Sequence, residues 1–277
     1  MNITQHQGRL EFITSADSLS KIDLAEGVHF SPLAVGAMGA QELATGMATL
    51  QPNAILPAHV HPVSEVIIPL SGTIHIFAEG RRYKVGQYDA FHVPAGLSHW
   101  IQNDLSNEPV SCFVSFATDQ PSRDWVENNF TVKDCFETDS NVAEHLIRFK
   151  SASIYELSQG TLFRDLFAGR FGSKGICGGY GIFQPGASLP CHVHEFDESI
   201  TIVEGAALCQ VAGREYPLSN YDTACIPRER PHRFINRSEN PMAMLWVYAG
   251  DEPDRTELEQ CCCEECHPEN QHEMKTS

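Results

Sequence analysis

The chain has 277 residues, 42% of them hydrophobic, enough for one large core or two of ordinary size. Its 36 acidic residues outnumber 19 basic ones, and a formal net charge of -17 repels phosphate backbones and anionic lipid, so no nucleic-acid or membrane partner is expected. No apolar run of about 18 residues offers a bilayer span.

In chain order, Met1-Asn2-Ile3-Thr4-Gln5-His6-Gln7 is polar and lacks a signal-peptide core, so a cytoplasmic location is expected. Short segments follow, such as Glu65-Val66-Ile67-Ile68-Pro69-Leu70, Thr73-Ile74-His75-Ile76-Phe77 and Ala90-Phe91-His92-Val93, bounded by Gly, Asp or Asn. They read as strands of a sandwich or barrel. Asp124-Trp125-Val126-Glu127, behind Ser122 as N-cap, predicts a short helix within a bridge over residues 118–150. A second strand-rich stretch covers residues 151–250, and a polar, Cys-rich tail, expected to be flexible, covers 256–277.

One repeat organises this order. His59-Val60-His61 recurs as His192-Val193-His194 (192 − 59 = 133). The same step carries Glu65 to Glu198, Gly72 to Gly205, Gly80-Arg81 to Gly213-Arg214, Tyr83 to Tyr216, Tyr88-Asp89 to Tyr221-Asp222, Pro94 to Pro227, His99 to His232 and Asn103 to Asn236. Upstream, Gly27, Phe30, Gly36 and Gly46 fall on Gly160, Phe163, Gly169 and Gly179. No gap is needed from about residue 22 to residue 103, so the halves are copies of one domain, at 22–117 and 151–250. The copies also end alike, in Asp119-Gln120-Pro121-Ser122-Arg123 and Asp251-Glu252-Pro253-Asp254-Arg255.

In a strand, residues i and i+2 share a face, so His59 and His61 aim together into one barrel, with Glu65 after a turn and His99 from a separate strand. The second copy supplies His192, His194, Glu198 and His232. Three imidazoles and a carboxylate suit a divalent transition metal, one per domain, with positions left for water or substrate. A single His-x-His is often an ordinary packed pair, but this pattern appears twice in one register.

Both stretches resemble the two signature motifs of the cupin superfamily. The first motif, Gly-x5-His-x-His-x3-Glu-x6-Gly, is complete in the second copy as Gly186, His192, His194, Glu198 and Gly205, whereas Asn53 replaces its leading Gly in the first. The second motif is Pro94, Gly96, His99 and Asn103 in the first copy, and Glu229 replaces the Gly in the second. Tyr88 and Tyr221 stand where the family usually has Gly. The resemblance implies an all-β chain of two tandem jelly-roll barrels (a bicupin), each with a metal on the residues just named.

Other residues are candidates for substrate or ligand-shell roles. Arg228 and Arg230, with Arg233, flank His232 and suit either an anionic substrate or pairing with nearby acids. Asn103 and Asn236 can bond a ligand shell or strand-end backbone. His75 and His92 read as packing residues, Cys191 as a small apolar filler, and the scattered cysteines as reduced thiols. Cys261-Cys262-Cys263-Glu264-Glu265-Cys266-His267 is a half-site for a soft metal or a run of exposed thiols.

The expected function is a metal-dependent enzyme acting on a small organic molecule. An Fe(II) dioxygenase comes first, with Mn, Ni, Co, Cu or Zn as other ions and Glu65 and Glu198 able to act as bases on leaving the metal. The alternatives are a non-redox isomerase, lyase or decarboxylase, and a non-catalytic binder. Pairing as a homodimer through sheet edges is implied by the resemblance.

Overall fold

The structure is a computed structural model and describes residues 9–258. It contains two barrels, each made of two facing sheets. In the first, a seven-stranded sheet runs in the order His145–Ile147, Ala90–Val93, Glu65–Pro69, Val110–Phe116, Ala44–Leu50, Val28–Ala34 and Ile22–Ala25. It faces a six-stranded sheet in the order Asp124–Trp125, Ile55–Val60, His99–Gln102, Thr73–Ala78, Arg81–Gly86 and Lys133–Cys135. The second barrel repeats this with seven and five strands. No α-helix is present among the described residues, and none is long and apolar enough to cross a membrane.

Side-chain alternation explains the layering. In Glu65–Pro69 the odd residue Ile67 fills the first barrel, while Val66 and Ile68 face the other way. They meet Leu166, Phe167, Leu245 and Val247 of the second barrel in a shared apolar layer. Both faces of these central strands are buried, so they read in sequence as continuous apolar runs and not as alternation. Thr73–Ala78 keeps a simpler pattern, with Ile74 and Ile76 buried and His75 outward beside Asp104.

The bridge holds strands in place of the expected helix. Asp124 and Trp125 pair with Val60 and His59 on the sheet edge, and Val126 N–H donates to Ala58 O. A four-residue helix closes at best one internal hydrogen bond, whereas this edge satisfies the same backbone groups at once. Lys133–Cys135 and His145–Ile147 then add strands to the first barrel's two sheets.

The arms preceding the two barrels are exchanged. Phe12–Thr14, ahead of the first barrel, pairs with Thr223–Ile226 of the second. His145–Ile147, ahead of the second barrel, pairs with Ala90–Val93 of the first. Each arm brings one fully buried carboxylate, Glu11 or Glu144, to its host.

Candidate metal centres

Two groups of metal-ligating side chains stand out among the described residues: His59, His61, Glu65 and His99, and His192, His194, Glu198 and His232. In each group the ligand atoms lie within 4.8 Å of one another, and all eight residues are buried.

Local backbone geometry aims them. The pairing of Ile55–Val60 with His99–Gln102 runs His99↔His59 and then Ile101↔Leu56, so the first strand carries one extra residue. That bulge reverses the side-chain alternation between Leu56 and His59 and lets both point inward. Glu65 opens its strand opposite Val93 and Phe116, and His99 opens its own.

Every imidazole is held by a backbone carbonyl. Nδ1–H of His59 donates to Pro57 O at 2.7 Å, of His61 to Ser122 O at 2.5 Å, and of His99 to Leu97 O at 2.9 Å. In the second group His192 donates to Pro190 O at 2.8 Å, His194 to Asp254 O at 2.5 Å and His232 to Arg230 O at 2.8 Å. A carbonyl only accepts, so Nδ1 carries a proton and each Nε2 faces into the cluster. Nε2 of His59 is buried without a partner, whereas Nε2 of His99 lies 2.8 Å from Glu65 Oε2, Nε2 of His232 2.7 Å from Glu198 Oε2, and those of His61 and His194 each 3.4 Å from the same carboxylates. Burial, reinforced by His99, lowers the His59 pKa to about 3, and burial with His232 lowers that of His192 to about 2. Burial alone would raise the Glu65 pKa, but the attraction of His61, His99 and His59 together brings it to about 2. Glu198 is lowered in the same way by His194 and His232. A divalent cation requires deprotonated donors, and these groups offer three imidazoles and a carboxylate at one point. Each group therefore fits one divalent metal ion.

The carbonyl clamps of Ser122 and Asp254 were not anticipated, although they lie in the recurrent Asp-x-Pro-x-Arg segments. The Asp of each segment is anchored too: Gly36 N–H donates to Asp119 O and Gly169 N–H to Asp251 O.

The remaining candidates lie elsewhere. Arg228 pairs with Glu42 at 2.6 Å and Arg230 with Glu11 at 2.7 Å, while Arg233 Nε donates to Gln210. The basic loop beside His232 docks the exchanged N-terminal arm, together with Arg9, which forks onto Asp197. It does not present a free anion site. Asn103 donates to Leu50 O and Glu108 O, and Asn236 to Phe183 O and Asn240 O, so both brace backbone at strand ends. His92 is buried, 3.2 Å from Ser64 Oγ, and stacks on His145. Cys191 is disulfide-bonded and so is not a reduced filler, whereas the other five described cysteines are free. The Cys261–His267 motif lies outside the described residues.

In the second barrel a cavity of about 600 Å³ reaches His192 and Glu198. Leu157, Phe163, Phe234, Met244 and Trp246 line its apolar part, Asp165, Arg170 and Arg255 add charged groups, and Trp246 Nε1 is a buried donor without a partner.

Tandem jelly-roll barrels, each with a buried group of three histidines and a glutamate, define a bicupin. The cupin domain family matches residues 46–116 and 179–248, and the chain belongs to it. A search of curated proteins found no match. Among solved structures, the chain is similar to oxalate decarboxylase from Bacillus subtilis at pH 4.6, with 18% identity and a TM-score of 0.73 over 91% of this chain and 79% of that one. A second structure of that enzyme, from work on its Mn(II) centres, gives 18% identity and a TM-score of 0.74 over 91% and 80%.

Proposed function

We propose that this bicupin is a metal-dependent enzyme that converts a small organic acid by non-redox chemistry, with decarboxylation as the first candidate. The observation that carries the reading is the pair of complete, buried three-histidine, one-glutamate groups, each imidazole turned inward by an Nδ1 bond to a backbone carbonyl. His59, His61, Glu65 and His99 would hold one ion, and His192, His194, Glu198 and His232 the other. A divalent ion bound there supplies a Lewis acid for a substrate oxygen. The chain's own contribution is to fix the imidazoles by their Nδ1 bonds, to keep Glu65 and Glu198 ionised, and to exclude water from a buried centre. Either glutamate, where an ion does not engage it, would be able to take up a proton.

The sequence alone ranked an Fe(II) dioxygenase first. The likeness to oxalate decarboxylase favours the non-redox alternative and, through the Mn(II) centres named for that enzyme, manganese over iron. Elemental analysis of untagged protein is expected to give two equivalents of metal, falling to one in His59→Ala and in His192→Ala. CO₂ release from a panel of small carboxylic acids, without net O₂ consumption, would support the proposal. Stoichiometric O₂ uptake would return the dioxygenase reading, and protein that takes up no metal would leave only a binding barrel.

A further inference from the structure

We infer that the two centres take different ligands, and that the first binds a carboxylate on Arg123. Arg123 follows Ser122, whose carbonyl holds His61, so its side chain starts at the rim of the first centre. Its Nη1 is buried and has no hydrogen-bond partner. Its guanidinium carbon lies 5.6 Å from the centre of the Trp125 ring, and that ring stands edge-on to His59 at 5.6 Å. Trp125 is 53% exposed, so an apolar ring and an unpaired cationic donor lie side by side next to His59. Burial works against the Arg123 charge, and the offsetting charge is Glu65, which the cluster itself engages. A planar carboxylate answers an unpaired guanidinium nitrogen best, because it accepts in the plane of the fork.

The second copy shows what this arrangement lacks. Arg255 occupies the place of Arg123, and Glu257 occupies that of Trp125: Glu257 pairs with His192 in register as Trp125 does with His59. There the arginine has an internal counter-ion, since Arg255 lies 3.1 Å from Glu257. Exchanging that glutamate for tryptophan leaves Arg123 without one. The second centre, with its arginine paired to Glu257, lacks that free donor.

This assignment rests on reading the first cluster as a metal centre, and the test separates the two. Oxalate and its neutral diamide are titrated by calorimetry into metal-loaded full-length protein carrying His192→Ala, with metal content assayed before and after. Oxalate is expected to bind with one equivalent of metal retained, and the diamide at least tenfold more weakly. Arg123→Gln and Trp125→Glu, which copies the second barrel's counter-ion, should each weaken oxalate at least tenfold without loss of metal, and Arg123→Lys should recover part. With His192 intact, Glu257→Trp should add a second oxalate site. Unchanged oxalate affinity in Arg123→Gln, or no oxalate binding with metal in place, overturns the assignment. Protein without metal at the first cluster overturns the metal reading and the assignment with it.

Discussion

Glu144 Oε1 lies 2.6 Å from Arg81 Nε: Glu144 sits in the bridge, on the arm that leads into the second barrel, and Arg81 on a strand of the first. Arg81 Nη2 donates to the other carboxylate oxygen at 3.0 Å and Tyr83 OH donates at 2.8 Å. Glu11 makes the same latch on the second barrel, with Arg214 at 2.9 Å and Tyr216 OH at 2.9 Å. The two glutamates are separated by the repeat step (144 − 11 = 133). Each barrel is thus closed by the arm that precedes its neighbour.

Replacing Glu144 by Gln keeps the shape but leaves the Arg81 charge without its buried partner. Breaking a buried pair costs about 3–5 kcal/mol. Arg81 is 24% exposed, so water recovers part of that, and a loss of roughly 2–3 kcal/mol is expected. Urea denaturation of the wild type and Glu144→Gln measures it. A difference below about 0.5 kcal/mol would show that the latch does not hold the arm.

This latch marks where the sequence stopped being legible. The recurrence of Gly80-Arg81-x-Tyr83 as Gly213-Arg214-x-Tyr216 was visible, but its partner was not. Between the arms the matches are sparse, Glu11 on Glu144 and two serines, Ser18 on Ser151 and Ser20 on Ser153, too few to fix a register. The exchange joins strands far apart in the chain, such as Phe12 with Cys225, which no local pattern can report. The metal groups were legible because strand periodicity and a doubled motif specify them. The departures from the motif have a common cause: Asn53, Tyr88, Tyr221 and Glu229 all adopt positive φ, between 62° and 68°. Gly186 and Gly96 hold the matching turns at 79°. The loops therefore keep the family's turn with residues that tolerate it less well, at about 1–2 kcal/mol each. For Tyr88, ring packing on Phe149 and Tyr180, both about 5 Å away, offsets that strain at the barrel interface.

Two recurrent glycines should prove irreplaceable for a steric reason. A Cβ on Gly46 would sit 2.2 Å from Phe30 Cζ and 2.9 Å from Ser31 O, and one on Gly179 would sit 2.0 Å from Arg164 O. Overpacking of this kind costs about 1–3 kcal/mol. Gly179→Ala should be the worse of the two, because its nearest obstacle is backbone. Equal stability of Gly46→Ala and wild type in thermal unfolding would mean that Phe30 turns aside freely.

Acid sensitivity should trace in part to His92. Burial, with His145 stacked on it, lowers its pKa from 6.5 to about 4. The neighbouring side chains in contact are Ser64 and His145, and neither brings a carboxylate. Between those two values the unfolded chain binds a proton that the folded chain refuses, so this stabilisation is complete above about pH 6.5 and falls as pH drops toward 4. His92→Leu should flatten the slope of stability against pH across that window. An unchanged slope would assign the acid sensitivity to other groups.

Removing the metal is expected to cost stability at both centres independently. Without an ion, three imidazoles and a carboxylate are buried together in each group with no cation to bind them. An ion bound at a thousand times its dissociation constant stabilises by about 4 kcal/mol per site, and a chain of this size shifts by about 2–4 °C per kcal/mol. Chelation of the loaded protein should therefore lower the midpoint by several degrees or more. His59→Ala and His192→Ala should each abolish about half of the chelator effect, because the two groups share no ligand. A midpoint unmoved within a degree, in protein shown to have lost its metal, would mean that the barrels are indifferent to the ion and that the clusters are held by packing alone.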